Sequence, residues 1–320
     1  TNLLTKEAKT ATPTDMVMVL EASSDAVVDQ VLKRIDQFLS DLSVKKQQSG
    51  SVEAASLEEA LEVLPDANLA LFSIPGEYAA DVMEQALERN LNIFSFTDNV
   101  SVEDEVRLKK LAHEKGLVMM GPDCGTGILS GIPLAFTNVV KTGNIGIVGA
   151  SGTGIQEVST LIDRLGGGVT HAIGTGGRDL SDAVQAITVK DSLIALENYA
   201  PADVIVLISK PPAKSVRNEI VNLLHNLSKP VVAIFLGETP EQHENDVYLA
   251  HTLEEAARIA VDLANGVTVK KNYLQPLDNH PAVTLPHDLT VKGLYSGGTL
   301  GSEAAMLISQ ALDLGDIIHK

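Results

Sequence analysis

Ser151-Gly152-Thr153-Gly154 follows a short apolar run, 145–148, and precedes an amphipathic stretch that continues to about residue 165. A strand, a small-residue turn and a helix in that order leave several backbone N–H groups unpaired at the helix start, where the helix dipole is positive. Such a turn can hold an anion. Ser151 and Thr153 add hydroxyl groups that either cap the helix or donate to a phosphate or carboxylate. Taken alone the turn supports both readings, a plain capped βα turn and a phosphate cradle.

Three other stretches carry reactive side chains among small neighbours. Gly121-Pro122-Asp123-Cys124-Gly125 places the one cysteine of the chain at a strand end. Cys124 is either a nucleophile or a small buried side chain, and Asp123 reads as a turn cap. In Gly174-Thr175-Gly176-Gly177-Arg178-Asp179, Arg178 can grip a carboxylate in bidentate fashion or form a salt bridge to Asp179 or Asp182. Lys210-Pro211-Pro212 brings either a positive charge to the same region or a solvated residue ahead of a turn. Far along the chain, Gly297-Gly298-Thr299 with Glu303 repeats the pattern of Ser151-Gly152-Thr153 with Glu157. In both, Glu stands four residues after Thr.

Strands alternating with helices supply the frame for these loops. Strands are expected at 16–20, 67–74, 91–96, 117–120, 145–148, 169–173, 204–209, 231–236 and 247–249. Helices are expected at 25–42, 57–64, 79–90, 102–115, 152–165, 181–186, 191–198, 214–227 and 253–264. That alternation predicts βα units around parallel sheets. Ligands of such sheets bind at the carboxyl ends of strands, which is where 149–154, 174–179 and 209–212 fall. A polar loop is expected at 43–55 and a proline-bearing linker at 266–289. A further strand, 289–294, opens a second strand–turn–helix unit near Thr290.

Composition agrees with this frame. Of 320 residues 44% are hydrophobic but only 3% aromatic, with no Trp, so the core must be Val, Ile, Leu and Ala, as parallel sheets favour. A formal net charge of −18 argues against partners held by Lys and Arg, namely nucleic acid and anionic membranes. A single cysteine excludes an internal disulfide framework and fits a reducing cytoplasmic setting. No apolar run approaches the ~20 residues that span a membrane. The chain starts with Thr1 and reads as a piece of a longer protein.

Gly121 to Gly125, Gly146 to Thr153 and Ile173 to Gly177 resemble, in order and spacing, three motifs of the succinyl-CoA synthetase α-subunit. That family's phosphorylated histidine has no counterpart: His243 and His251 lack its small neighbours, and Ser209-Lys210-Pro211-Pro212 replaces its supporting glutamate. Glu21-Ala22-Ser23-Ser24 stands where its first glycine-rich CoA turn would be. Ser73 to Ala80, Gly121 to Thr126, Gly174 to Leu180, Ser209 to Ala213 and Tyr295 to Leu300 together resemble the FdrA family of acyl-CoA-synthetase-like proteins.

The resemblance implies an α/β fold, a Rossmann-like CoA-binding-type domain (1–140) followed by a flavodoxin-like CoA-ligase-type domain (141–265), both on parallel sheets. A linker (266–289) and the start of a second ligase-like domain (290–320) complete it. It further implies a subunit of an oxamate carbamoyltransferase of allantoin and purine breakdown, working with companion subunits on small anionic substrates. In that reaction oxalurate and phosphate give oxamate and carbamoyl phosphate, with no need of a protein nucleophile. Lys210 and Arg178 then serve as catalytic cations, Ser151, Gly152, Thr153 and Gly154 as the phosphate site, and Cys124, Gly125, Gly176 and Gly177 as substrate lining. Gly297, Gly298 and Thr299 form the second repeat, with no phosphohistidine and no metal. Two alternatives stay open: an acyl-CoA synthetase using CoA and a nucleotide, and a non-catalytic scaffold or regulatory subunit. A homo-oligomer is compatible with each.

Overall fold

The computed structural model describes residues 10, 17, 20, 22–48, 54–238, 247–269 and 292–312. The chain divides into two compact units, Thr1–Asp66 and Ala67–Lys320. Among the described residues no helix is long and apolar enough to cross a membrane.

The first unit contributes helices α1 (Asp25–Gln48) and α2 (Leu57–Val63). The loop expected from residue 43 starts later, because α1 continues to Gln48. Residues 43–48 contain neither Gly nor Pro, and their Lys and Gln are good helix formers. Helix α2 is opened by a reciprocal cap: Ser56 Oγ accepts the Glu59 N–H at 3.2 Å and Glu59 Oε2 accepts the Ala55 N–H at 2.7 Å. The strand expected at 16–20 falls largely outside the described residues.

The second unit holds two sheets. Strands β1 (Leu69–Phe72), β2 (Asn92–Ser95) and β3 (Met119–Met120) form a parallel three-stranded sheet in sequence order. Helices α3 (Gly76–Glu88) and α4 (Val102–Glu114) connect them. Helix α3 buries Ala79, Ala80, Met83, Ala86 and Leu87, the spacing of one helical face. Helix α4 starts at the Ser101 cap, whose Oγ accepts the Asp104 N–H, and is followed by Gly116 at φ +67. Its buried face carries Leu108 and Ala112 but also Glu105 and Lys109.

The larger sheet has the order β10-β9-β8-β6-β7-β4-β5. Its parallel part consists of β6 (Ile145–Gly149), β7 (Val169–Gly174), β8 (Val204–Ser209), β9 (Val231–Phe235) and β10 (Val247–Ala250). Helices α6 (Ile187–Asn198) and α7 (Lys214–Leu224) cover one face, and α5 (Gly152–Arg164) and α8 (Leu253–Ala264) cover the other. Burial on both faces explains why β6, β8 and β9 read as unbroken apolar runs. A last helix, α9 (Gly298–Leu312), packs beside α5.

Three further expectations differ from this architecture. Both sheets were to be wholly parallel, yet an antiparallel hairpin, β4 (Thr126–Leu129) and β5 (Ile132–Ala135), extends the larger one. Its two-residue turn is Ser130-Gly131, with φ +50 and +78. The helix expected at 181–186 is a series of turns, and α6 begins only at Ile187. Gln185 and Ala186 are left-handed, and Ala186 N–H donates to Asp179 O at 2.7 Å, which folds the segment back. Residues 292–294 form no strand, and 270–291 lie outside the described residues.

Leu196 of α6 fills the space left by the missing side chain of Gly146 on β6, where a Cβ would lie 2.8 Å from Leu196 Cδ1. Leu196→Ala leaves a cavity there and should lower unfolding free energy by about 3 kcal/mol in a denaturant titration.

Candidate functional site

Strands β8, β6 and β7 lie side by side and end at Ser209, Gly149 and Gly174. The loops that leave them share one edge of the sheet. Ser151 is the N-cap of α5: its Oγ accepts the Gly154 N–H at 3.0 Å. The first intrahelical bond is Ile155 N–H to Ser151 O, so the Gly152 and Thr153 N–H groups precede it. Ser151 Oγ also shares a 2.5 Å hydrogen bond with Thr299 Oγ1. Gly297 leans on Thr153 so closely that a Cβ would lie 2.4 Å from Thr153 Cγ2. The two motifs that resemble each other in sequence thus meet in space, and the starts of α5 and α9 converge.

On the other side, the loop after β3 presses on the loop after β7. A Cβ on Gly174 would fall 2.4 Å from Cys124 Sγ, and one on Gly176, at φ +86, 2.5 Å from Pro122 O. Cys124 is 4% exposed and its thiol reaches Thr126 O at 3.4 Å. Burial pushes the thiol up to about 11, so no thiolate nucleophile is present near neutral pH. Gly125 sits under Phe96, which stacks on Phe136 with centroids 5.5 Å apart.

Arg178 does form a salt bridge, but its partner is neither Asp179 nor Asp182. Nε lies 2.8 Å from Glu105 Oε2, and Nη2 donates to Val100 O at 2.9 Å. Asp182 instead accepts from Ser215 Oγ, and Asp179 accepts from Lys109. Beyond these two contacts Arg178 has further N–H groups without a partner among the described residues, and its side chain is 42% exposed. Lys210 is exposed and forms no ion pair among the described residues, and its Nζ lies 2.9 Å from where a Cβ on Gly177 would be. The structure therefore brings Lys210, Gly177 and the Ser151 turn to one sheet edge.

Sequence reasoning missed Glu105 and Lys109. Their i, i+4 spacing looks like an ordinary exposed pair, although Leu108 and Ala112 mark the same face as apolar. Glu303, whose carboxylate suits a helix N-terminus, serves the start of α8 rather than that of its own helix: its Oε1 accepts the Leu253 N–H at 2.6 Å. Burial holds the Glu303 carboxyl above its usual range, with Glu157 and Glu254 adding to the rise and the Leu253 N–H and His251 opposing it. His251 Nδ1 lies 3.0 Å from Glu238 O, whereas His243 is outside the described residues.

Residues 140–237 match the CoA binding domain model, and residues 1–56 match the AllF heavy metal-associated domain model. The chain is 44% identical over 318 residues to the uncharacterized protein YahF of Escherichia coli (strain K12), covering 96% of this chain and 60% of that one. It is 26% identical over 179 residues to the succinate–CoA ligase [ADP-forming] subunit alpha 2 of Archaeoglobus fulgidus, covering 54% of this chain and 60% of the relative. The chain therefore spans about 60% of the length of both. Among solved structures, the ATP citrate lyase of Methanothrix soehngenii in complex with citrate and coenzyme A superposes with a TM-score of 0.56 at 15% identity, over 83% of this chain and 46% of that one. The likeness shows the fold, an acyl-CoA-synthetase-like α/β architecture. The CoA binding match falls on the larger sheet. Residues 1–56 offer no Cys and no His, and carboxylates, side-chain amides, hydroxyls and two methionines do not make a donor set that fits a heavy-metal site.

Two measurements follow from the buried groups. Iodoacetamide should leave Cys124 unmodified in the folded chain at pH 8 and label it on denaturation, as read by mass spectrometry. Glu303 binds its proton more tightly folded than unfolded, so its stabilising contribution is full at acid pH and is lost as pH rises through the folded value. Glu303→Gln, which keeps an oxygen for Leu253, should therefore raise Tm at pH 7.5, with the gain vanishing near pH 4 in calorimetric scans.

Proposed function

Because the chain belongs to the FdrA family of the acyl-CoA-synthetase-like superfamily, we propose that it is part of a carbamoyltransferase acting on a small ureido acid of the oxalurate type. The convergence of the starts of α5 and α9 at Ser151 and Thr299 carries this reading. Two helix N-termini and their hydroxyl groups, with the exposed Lys210 at the same sheet edge, suit a phosphate dianion. Arg178, anchored on one side by Glu105, has donors left for the substrate carboxylate.

In this reading the phosphate site is Ser151, Gly152, Thr153 and Gly154, and Gly176 and Gly177 let the substrate approach the backbone. A phosphate oxygen attacks the terminal carbamoyl carbon of oxalurate, forming a C–O bond and a tetrahedral oxyanion. Backbone N–H groups and Lys210 stabilise that charge. Collapse breaks the C–N bond, and the proton carried by phosphate passes to the departing nitrogen, giving carbamoyl phosphate and oxamate. No protein nucleophile is needed, in keeping with a Cys124 thiol pushed up to about 11. Companion subunits complete the enzyme, and the domain limits proposed are 1–140, 141–265 and 290–320.

The CoA binding match over residues 140–237 favours a second reading, an acyl-CoA synthetase. Calorimetric titration with phosphate, carbamoyl phosphate and CoA separates the two. The carbamoyltransferase reading expects both phosphates to bind and CoA not to, with binding at least about tenfold weaker in Ser151→Ala and in Lys210→Ala. CoA binding with no response to either phosphate would overturn it in favour of the ligase.

A further inference from the structure

Helix α4 turns an ammonium group into the protein interior. The Lys109 side chain is fully enclosed, and each of its three protons meets an acceptor. Nζ lies 2.8 Å from Glu105 Oε1, 2.8 Å from Thr175 O and 2.6 Å from Asp179 Oδ1. The other oxygen of Glu105 has no hydrogen-bond partner among the described residues and faces Arg178 as an ion pair, and Asp179 also accepts the Thr188 and Val189 N–H groups at the start of α6 at 3.3 and 2.9 Å. Lys109, Arg178, Glu105 and Asp179 together carry no net charge.

We infer that Lys109 is the positioning residue of the Gly176–Arg178 loop. Its ammonium binds the loop on either flank, at the Thr175 carbonyl and at the Asp179 carboxylate. Through Glu105 it also fixes the guanidinium of Arg178. Between these anchors the loop contains two glycines, with Gly176 left-handed, and its other ties are the Gly176 contact with Pro122 O, the Arg178 bond to Val100 O and the bonds that Gly176 O and Arg178 O accept from Asp179 and Ser181. A merely stabilising role would not call for three buried charges, Lys109, Glu105 and Asp179, since apolar side chains of similar volume serve at least as well. Apolar side chains cannot hold the Thr175 carbonyl or aim Arg178. The loop's placement requires the lysine, and with it the approach of Gly177 to Lys210.

The inference rests on the carbamoyltransferase reading only for the ligand. The test compares the unmodified chain with Lys109→Met and with Lys109→Met/Asp179→Asn, in phosphate binding, Tm and amide hydrogen exchange. The single variant leaves Asp179 buried without its cation and should lose stability. The double variant restores charge balance and keeps an acceptor for α6, so Tm should recover towards the unmodified value. Positioning predicts that phosphate binding in the double variant stays at least about tenfold weaker, and that the Thr175 and Asp179 amides, bonded to Gly149 O and Gly176 O at the two ends of the loop, exchange at least about tenfold faster while those of β8 are unchanged. Binding and exchange that recover along with Tm would reduce Lys109 to a structural role and overturn the inference, as would faster exchange that extends equally to β8. Should the unmodified chain bind no phosphate, the phosphate site itself fails, and loop exchange still decides the role of Lys109.

Discussion

Strand β6 is hydrogen-bonded on both edges and covered on both faces, and the rest of the larger sheet depends on that position. All five of its residues are buried, so every backbone donor and acceptor must be met by β7 and β8. The parallel register follows, and with it the placement of three loops at one edge. Gly146 and Gly149 admit Leu196 and Ile155 close to the strand, which draws α6 and α5 onto opposite faces. The chemistry at the sheet edge is therefore positioned by apolar packing that lies beneath it.

The site itself is organised by polar contacts between segments distant in sequence. Ser151 and Thr299 are 148 residues apart, and Lys109 and Asp179 are 70 apart. One contact unites two helix starts, and the other fastens a glycine loop to a helix of the smaller sheet. The first sets two helix N-termini side by side, and the second sets a buried ammonium against a buried carboxylate. Glu303, held at the start of α8, shows the cost of burying a carboxyl in its raised affinity for a proton, to which nearby Glu157 adds.

What the sequence discloses here is local. The apolar run at 145–148 followed by a small-residue turn states a strand, a cap and a helix, and all three are present. The run 181–186, Ser-Asp-Ala-Val-Gln-Ala, has acceptable helix propensity, but the Asp179 carbonyl captures Ala186 and tertiary contact overrides preference. Ser130-Gly131 is a legible turn signal whose consequence, two strands added to the larger sheet, depends on Ile128 pairing with Ala172. Glu105 and Lys109 form a spacing that occurs on any solvated helix. Only the arrival of Asp179 and Thr175 from another layer makes it a buried one.

The hairpin has an effect on the sheet's outer margin. A parallel sheet that stopped at β7 would present a row of free donors to any extended chain. Instead the margin is β5, four residues long, with Pro133 lacking an N–H and Ala135 turned away at φ +49. Ile132 is 63% exposed and Phe136 70%, an apolar surface that would otherwise invite strand addition. Its short length, its proline and its terminal kink leave an incoming strand no ladder to follow, so the fold guards itself against edge-to-edge aggregation at this margin.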